Sequence, residues 1–170
     1  LLRDVTGKLL GFRCESWDFK REQMKILGEV LEVFSATKES SGLPRPKVES
    51  LNLIKDYGIE FDKFAEKNLD QTVMIVGLKS YELAKSFNID LELGSLGENI
   101  LLDFDPHDFE VGQYFKIDEA IIQITQICTV CNHLTVFNKD LPKILKGHRG
   151  VYCKIIESGK ILKNMKIKEV

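Results

Sequence analysis

The chain has 170 residues, the length of one ordinary domain, and at that size roughly 70% of the unfolded surface can be buried without disulfides or a structural metal. Apolar residues make up 44% and charged residues 29%, the balance of a soluble globular protein. The net charge is −2 with Lys and Arg spread along the whole length, which argues against nucleic acid or an anionic membrane as the main partner. In chain order, residues 1–23 show no clear periodicity and read as an appendage. Met24-Lys25 has the look of a translation start and opens the main domain, 24–170. Gly28 to Phe34 mixes alternation with branched and aromatic residues, as a half-buried strand does. Glu39 to Pro46 reads as a loop, on the strength of Ser40-Ser41-Gly42 and Pro44-Arg45-Pro46. Val48 to Ile54 is extended, with the segment ending at Gly58, and Gln71 to Val76 is a short apolar run suited to a buried strand.

Ser80 to Phe87 predicts a short helix closed by Asn88. Gly94 to Asn99 is a turn, followed by a strand from Ile100 to Phe104 and a further turn at Pro106-His107-Asp108. Gly112 to Ile117 and Ala120 to Ile127 form two strands joined by Asp118-Glu119, a hairpin signal. Thr129 to Leu145 reads as helical or looped. Val151 to Ile156 is another strand, closed by Ser158-Gly159, and Met165 to Val170 is the last. Short strands punctuated by Gly and Pro predict a mainly β (α+β) domain: a barrel or curled sheet with a few peripheral short helices. No apolar run approaches the roughly 18 to 20 residues that span a bilayer, and Leu1-Leu2-Arg3-Asp4 does not open a signal peptide. A cytoplasmic location is therefore expected, with Cys14, Cys128, Cys131 and Cys153 reduced.

The densest chemistry lies at Thr125 to His133, where Cys128, Cys131 and His133 fall at the end of a strand. Backbone N–H groups at a strand-to-helix junction favour a thiolate. Four readings stay open at this point. Cys128, Cys131 and His133 could hold zinc with Cys153 or His148 as a distant fourth ligand, although structural zinc sites usually carry two Cys-x-x-Cys pairs. The pair could be a thiol–disulfide couple, or one cysteine could be a soft ligand to a redox metal. The bland alternative is two small buried residues. Gly94-Ser95-Leu96-Gly97-Glu98-Asn99-Ile100 is a second feature: its glycines permit close backbone approach, and Glu98 and Asn99 need turn amides if buried. A third is Gly147-His148-Arg149-Gly150, which sets a guanidinium at the start of a strand, where it can fork onto phosphate or carboxylate. His107 reads as a surface turn residue and Cys153 as core.

In this order the segments resemble the MOSC domain family, named for the C-terminal domain of molybdenum cofactor sulfurases, and specifically a small stand-alone member of bacterial type. Gly58 to Asp62 is similar to its Gly-Ile-x-Gly-Asp element, and Gly94 to Ile100 to its Gly-x-x-Gly-Glu-Asn-Ile turn. Thr125 to Cys131 is similar to its strand end with one characteristic cysteine, and Gly147 to Ile161 to its Arg-Gly-x-Tyr strand and Gly-x-Ile turn. The resemblance implies a β-barrel-like core and association with the molybdenum cofactor (molybdopterin), a pterin with a phosphate tail. It further implies that Cys131 is the catalytic metal ligand, in a reductase of N-hydroxylated compounds fed by a separate electron-donor protein. The cofactor-binding candidates are Arg149, His148, Arg45 and Lys47 for the phosphate, with Glu98 and Asn99 in the turn. The alternative is a non-catalytic carrier holding cofactor, persulfide sulfur or zinc at Cys128 and Cys131. The chain departs from the family pattern at Phe61, where glycine is usual, at Phe64, at Asp70, at Ile127-Cys128 and at Asn164-Met165.

Overall fold

The computed structural model describes residues 24–129 and 132–170. The proposed appendage at 1–23, with Cys14, and the central Cys131 lie outside the described residues. Ten strands are seen: β1 (Ile26–Val33), β2 (Ser50–Ile54), β3 (Gly58–Ile59), β4 (Val73–Gly77), β5 (Ile100–Leu102), β6 (Tyr114–Ile117), β7 (Ala120–Ile127), β8 (Val151–Glu157), β9 (Gly159–Leu162) and β10 (Lys166–Glu169). They are accompanied by helix α1 (Leu78–Ser86), helix α2 (Leu141–Ile144) and short 3-10 turns.

Seven strands close a barrel in the order β1-β10-β6-β7-β8-β4-β5, and β3-β2-β9 form a separate three-stranded sheet. The pairing is antiparallel except between β4 and β5, which run parallel. Closure removes the exposed edges that would otherwise template aggregation. The mainly β architecture with few short helices is the one the sequence predicts.

Alternation explains most of the wall. In β8, Val151, Cys153 and Ile155 are buried while Tyr152, Lys154 and Ile156 are partly exposed, and the first set joins Ile122, Ile124 and Phe115 in the barrel interior. β4 is different, because all five of its residues are buried. Val73 and Ile75 point into the barrel, whereas Met74 and Val76 pack outward against Tyr81 and Ala84 of α1, Leu141 of α2 and Leu96 of the 94–99 turn. That two-sided burial is why β4 reads as an unbroken apolar run.

Two elements differ from expectation. The segment after Ser158-Gly159 continues as β9, pairing with β2 through Leu51↔Ile161, although only one of its four residues is buried. Gly159 makes this possible, since a Cβ there would stand 2.5 Å from the backbone nitrogen of Ala120. His107 does sit in a turn, but its side chain is only 9% exposed.

Candidate functional site

A cavity of about 430 Å³ opens on the outer side of the barrel wall, beside the loop 36–47, the 94–99 turn and the start of β8. This is the size of ordinary cofactor sites. Two arginines dominate its lining. Arg149 lies in the Gly147–Gly150 turn, is 5% exposed, and donates from Nε to the Leu96 carbonyl at 2.8 Å. Arg45 enters from the loop, whose backbone is tied to the 94–99 turn by Arg45 N–H donating to Gly94 O at 3.0 Å.

Gly97 lies between the two. A methyl group on it would stand 3.1 Å from Nη2 of Arg149 and 3.9 Å from Nε of Arg45, and its φ of +83° is the region glycine favours. Burial lowers the Arg45 pKa; Asp62 and Glu98 oppose that, and the like charge of Arg149 adds to it. A guanidinium stays protonated in any such setting. The cavity therefore concentrates positive charge and lacks a matching carboxylate among its lining residues.

Asp62 holds the rim in shape rather than facing the cavity. Its Oδ2 accepts from Ser35 Oγ at 2.8 Å and Ala36 N–H at 3.2 Å, and Oδ1 accepts from Phe64 N–H at 2.9 Å. The Phe64 ring is thereby set under three cations, Arg45, Lys63 and Lys67, at 5.0, 5.3 and 5.5 Å, each within cation–π range. Across the cavity Tyr152, on the outward face of β8, accepts from the Cys128 thiol at 3.6 Å. Burial and that thiol push the Tyr152 pKa up to about 12 against the pull of the two arginines, so its phenol is neutral.

Of the residues singled out in the sequence, Arg45, Arg149, Asn99 and His133 line this cavity. Asn99 is committed to the backbone. Its Oδ1 accepts from Met74 N–H at 3.0 Å and its Nδ2 donates to Phe34 O at 3.2 Å, stitching β4 to the end of β1. Glu98 is fully buried under the turn. Its Oε1 accepts from the Tyr81 hydroxyl and from Gly94 N–H, and burial raises its pKa. Lys47 is exposed and pairs with Glu32 at 3.7 Å. His148 is exposed, faces His107, and does not line the cavity.

Cys128 and Cys153 fall on opposite sides of the wall. Cys128 packs with Met74, Leu134 and Leu141 outside the barrel, and Cys153 is inside it, where burial drives its pKa well up. Cys153 is thus not placed to complete a zinc set with Cys128. Among the described residues no three His, Cys, Asp or Glu side chains cluster to hold a metal ion. The residues flanking Cys131 on its C-terminal side reach the cavity, through His133 and Val136. The lining residues that sequence reasoning did not assign to a site include Lys63, Gln71, Phe64 as a ring platform, and Tyr152. The last carried a signal, an aromatic on the outward parity of a barrel strand. Among the described residues no helix is long and apolar enough to cross a membrane.

The solved structures that resemble this fold include the YuaD protein of Bacillus subtilis, at 14% identity and a TM-score of 0.69, over 86% of this chain and 98% of that one. YiiM of Geobacillus stearothermophilus matches at 17% identity and a TM-score of 0.63, over 86% of this chain and 75% of its own. YiiM of Escherichia coli matches at 20% and 0.62, over 83% and 69%. At such identities the likeness is one of fold. No curated protein matches the chain. The family model described as the MOSC domain matches residues 56–168, about two thirds of the sequence. The chain belongs to the MOSC domain family, whose members are associated with the molybdenum cofactor.

Proposed function

We propose that this protein binds the molybdenum cofactor in the cavity between Arg45 and Arg149 and acts as a reductase of N-hydroxylated compounds. The observation that carries the reading is the convergence of two guanidiniums, one of them 5% exposed, on a single cavity across Gly97. Two such cations side by side in a partly dry site favour an anion between them. A phosphate accepts from both in fork geometry, with bonds about twice as strong as neutral ones. Lys63 adds a third cation at the rim. Phe64 and the neutral Tyr152 offer aromatic walls of the kind that flank a flat heterocycle.

The residues present thus fit a pterin with a phosphate tail. Arg45, Arg149 and Lys63 would hold the phosphate, Phe64 and Tyr152 would border the ring system, and Cys131 would supply the thiolate ligand. When bound, the cofactor supplies two-electron oxygen-atom-transfer chemistry. The chain's own part is to fix the tail, to exclude water behind Met74 and Tyr152, and to keep Tyr152 protonated as a hydrogen-bond donor at neutral pH. Re-reduction falls to a separate electron-donor protein.

The test is reduction of an aromatic amidoxime, with dithionite-reduced viologen as donor, by protein purified without oxygen from a cofactor-competent host. Turnover by the wild type that disappears in Cys131→Ser is the expected result. Cofactor-loaded wild-type protein that turns over nothing would replace the reductase reading with that of a carrier.

A further inference from the structure

A second cluster lies apart from the cavity. His107 sits in the 3-10 turn Pro106–Asp108 with its side chain 9% exposed. Its Nδ1 is 2.7 Å from Asp105 Oδ1, and the same oxygen accepts the His107 backbone N–H at 3.0 Å. An ionised Asp105 places the ring proton on Nδ1 and leaves Nε2 as a bare lone pair. That nitrogen is buried and has no hydrogen-bond partner among the described residues. A buried polar atom left in this state calls for an explanation.

The His107 ring packs edge-to-face against that of His148, with centres 5.8 Å apart and planes at 67°. His148 is exposed, and its backbone is pinned on both sides. Its carbonyl accepts from Ser80 Oγ at 2.5 Å, and its N–H donates to Leu145 O at 2.9 Å. Neither histidine lines the cavity described above.

We propose that His107 and His148 form a binding site for a divalent transition-metal ion of the zinc class. A carboxylate that fixes one ring nitrogen so that the other faces a metal is the usual arrangement behind metal-bound histidine. With N–Zn bonds of 2.0–2.1 Å, two imidazoles sharing one tetrahedral ion have ring centres roughly 5–6 Å apart. The observed separation falls in that range, so binding would turn the exposed His148 ring and open the buried Nε2 of His107 to the ion. No third His, Cys, Asp or Glu joins the pair among the described residues, so water would complete the coordination. Because His148 precedes Arg149, an ion held here restrains the turn that carries the cavity's most buried cation.

The test is a zinc titration by calorimetry, together with 15N detection of the imidazole nitrogens. It uses EDTA-treated full chain carrying Cys131→Ser, so that the thiol segment does not compete. One zinc bound with a micromolar dissociation constant and a shifted His107 Nε2 signal is expected. Replacing the exposed His148 (His148→Ala), which leaves the core untouched, weakens binding at least tenfold. Asp105→Asn weakens it by about 10- to 100-fold, as loss of an outer-shell partner does. Absence of binding by the parent up to about 0.1 mM zinc, or unchanged affinity in either variant, overturns the proposal.

Discussion

Gly97→Ala separates the two demands that the 94–99 turn meets. The first is conformational: at φ +83° an L-residue loses about 1–2 kcal/mol against glycine, partly offset by a stiffer unfolded chain worth about 0.4–1 kcal/mol. The second is steric. The new methyl would stand 3.1 Å from Arg149 Nη2, and that guanidinium cannot drift freely, because Nε is bonded to Leu96 O at 2.8 Å. Loss of that charged hydrogen bond would cost about 1.5–3 kcal/mol. Gly112→Ala isolates the first demand, since Gly112 has φ +100° and nothing within 4 Å of its Cβ position. Urea unfolding should therefore show a loss of about 1 kcal/mol for Gly112→Ala and about 2–4 kcal/mol for Gly97→Ala. Pterin content per chain, read by fluorescence after oxidation, should fall in Gly97→Ala alone. Equal destabilisation of the two variants, with equal pterin content, would refute the claim that Gly97 is kept small for the sake of Arg149.

Phe61 holds φ +65° while 79% exposed, so Phe61→Gly should raise stability by about 0.5–1 kcal/mol, seen as a higher urea midpoint at unchanged slope; a lower midpoint would mean the ring has a contact of its own. Asn99→Ala strands Met74 N–H and Phe34 C=O, at about 1–3 kcal/mol each, and should lower the melting temperature by far more than Gly112→Ala. Glu98 gives a pH signature. Its folded pKa is raised by burial, so its contribution is fully present below the unfolded carboxyl value and is lost as pH rises through the folded one. The melting temperature of Glu98→Gln should therefore gain on wild type as pH rises above the unfolded carboxyl value of about 4.3, and a difference independent of pH would contradict this.

Much of the fold was legible because period-2 alternation survives in β7 and β8, and because the Asp118-Glu119 turn marks its hairpin plainly; β1 was legible by its branched and aromatic residues, since bulges set its buried Val30 and Val33 three apart. β9 escaped notice because Gly-Lys-Ile-Leu offers one inward residue, and its partner β2 lies more than a hundred positions away in the chain. The cavity was legible only in part. Arg45 and Arg149 could be picked out by type, but their meeting across Gly97 depends on how the 36–47 loop folds over the 94–99 turn, which no local pattern encodes. Glu98 and Asn99 were read as needing turn amides if buried, which holds for Glu98 but not for Asn99, whose partners lie on β4 and just after β1. Gly94 N–H serves the carboxylate, and the Met74 and Phe34 backbone serves the amide. The departure at Phe61 also has a physical reading, since the position keeps the positive φ that makes glycine the natural choice there.

The most direct test of the account is the molybdenum and pterin content of anaerobically purified wild type, Arg45→Met/Arg149→Met and Cys131→Ser. The account predicts near-stoichiometric pterin and molybdenum in the wild type, loss of both in the arginine double variant, and retention of pterin with loss of molybdenum in Cys131→Ser. Pterin that persists at the wild-type level without the two arginines, or wild-type protein carrying none, would contradict it.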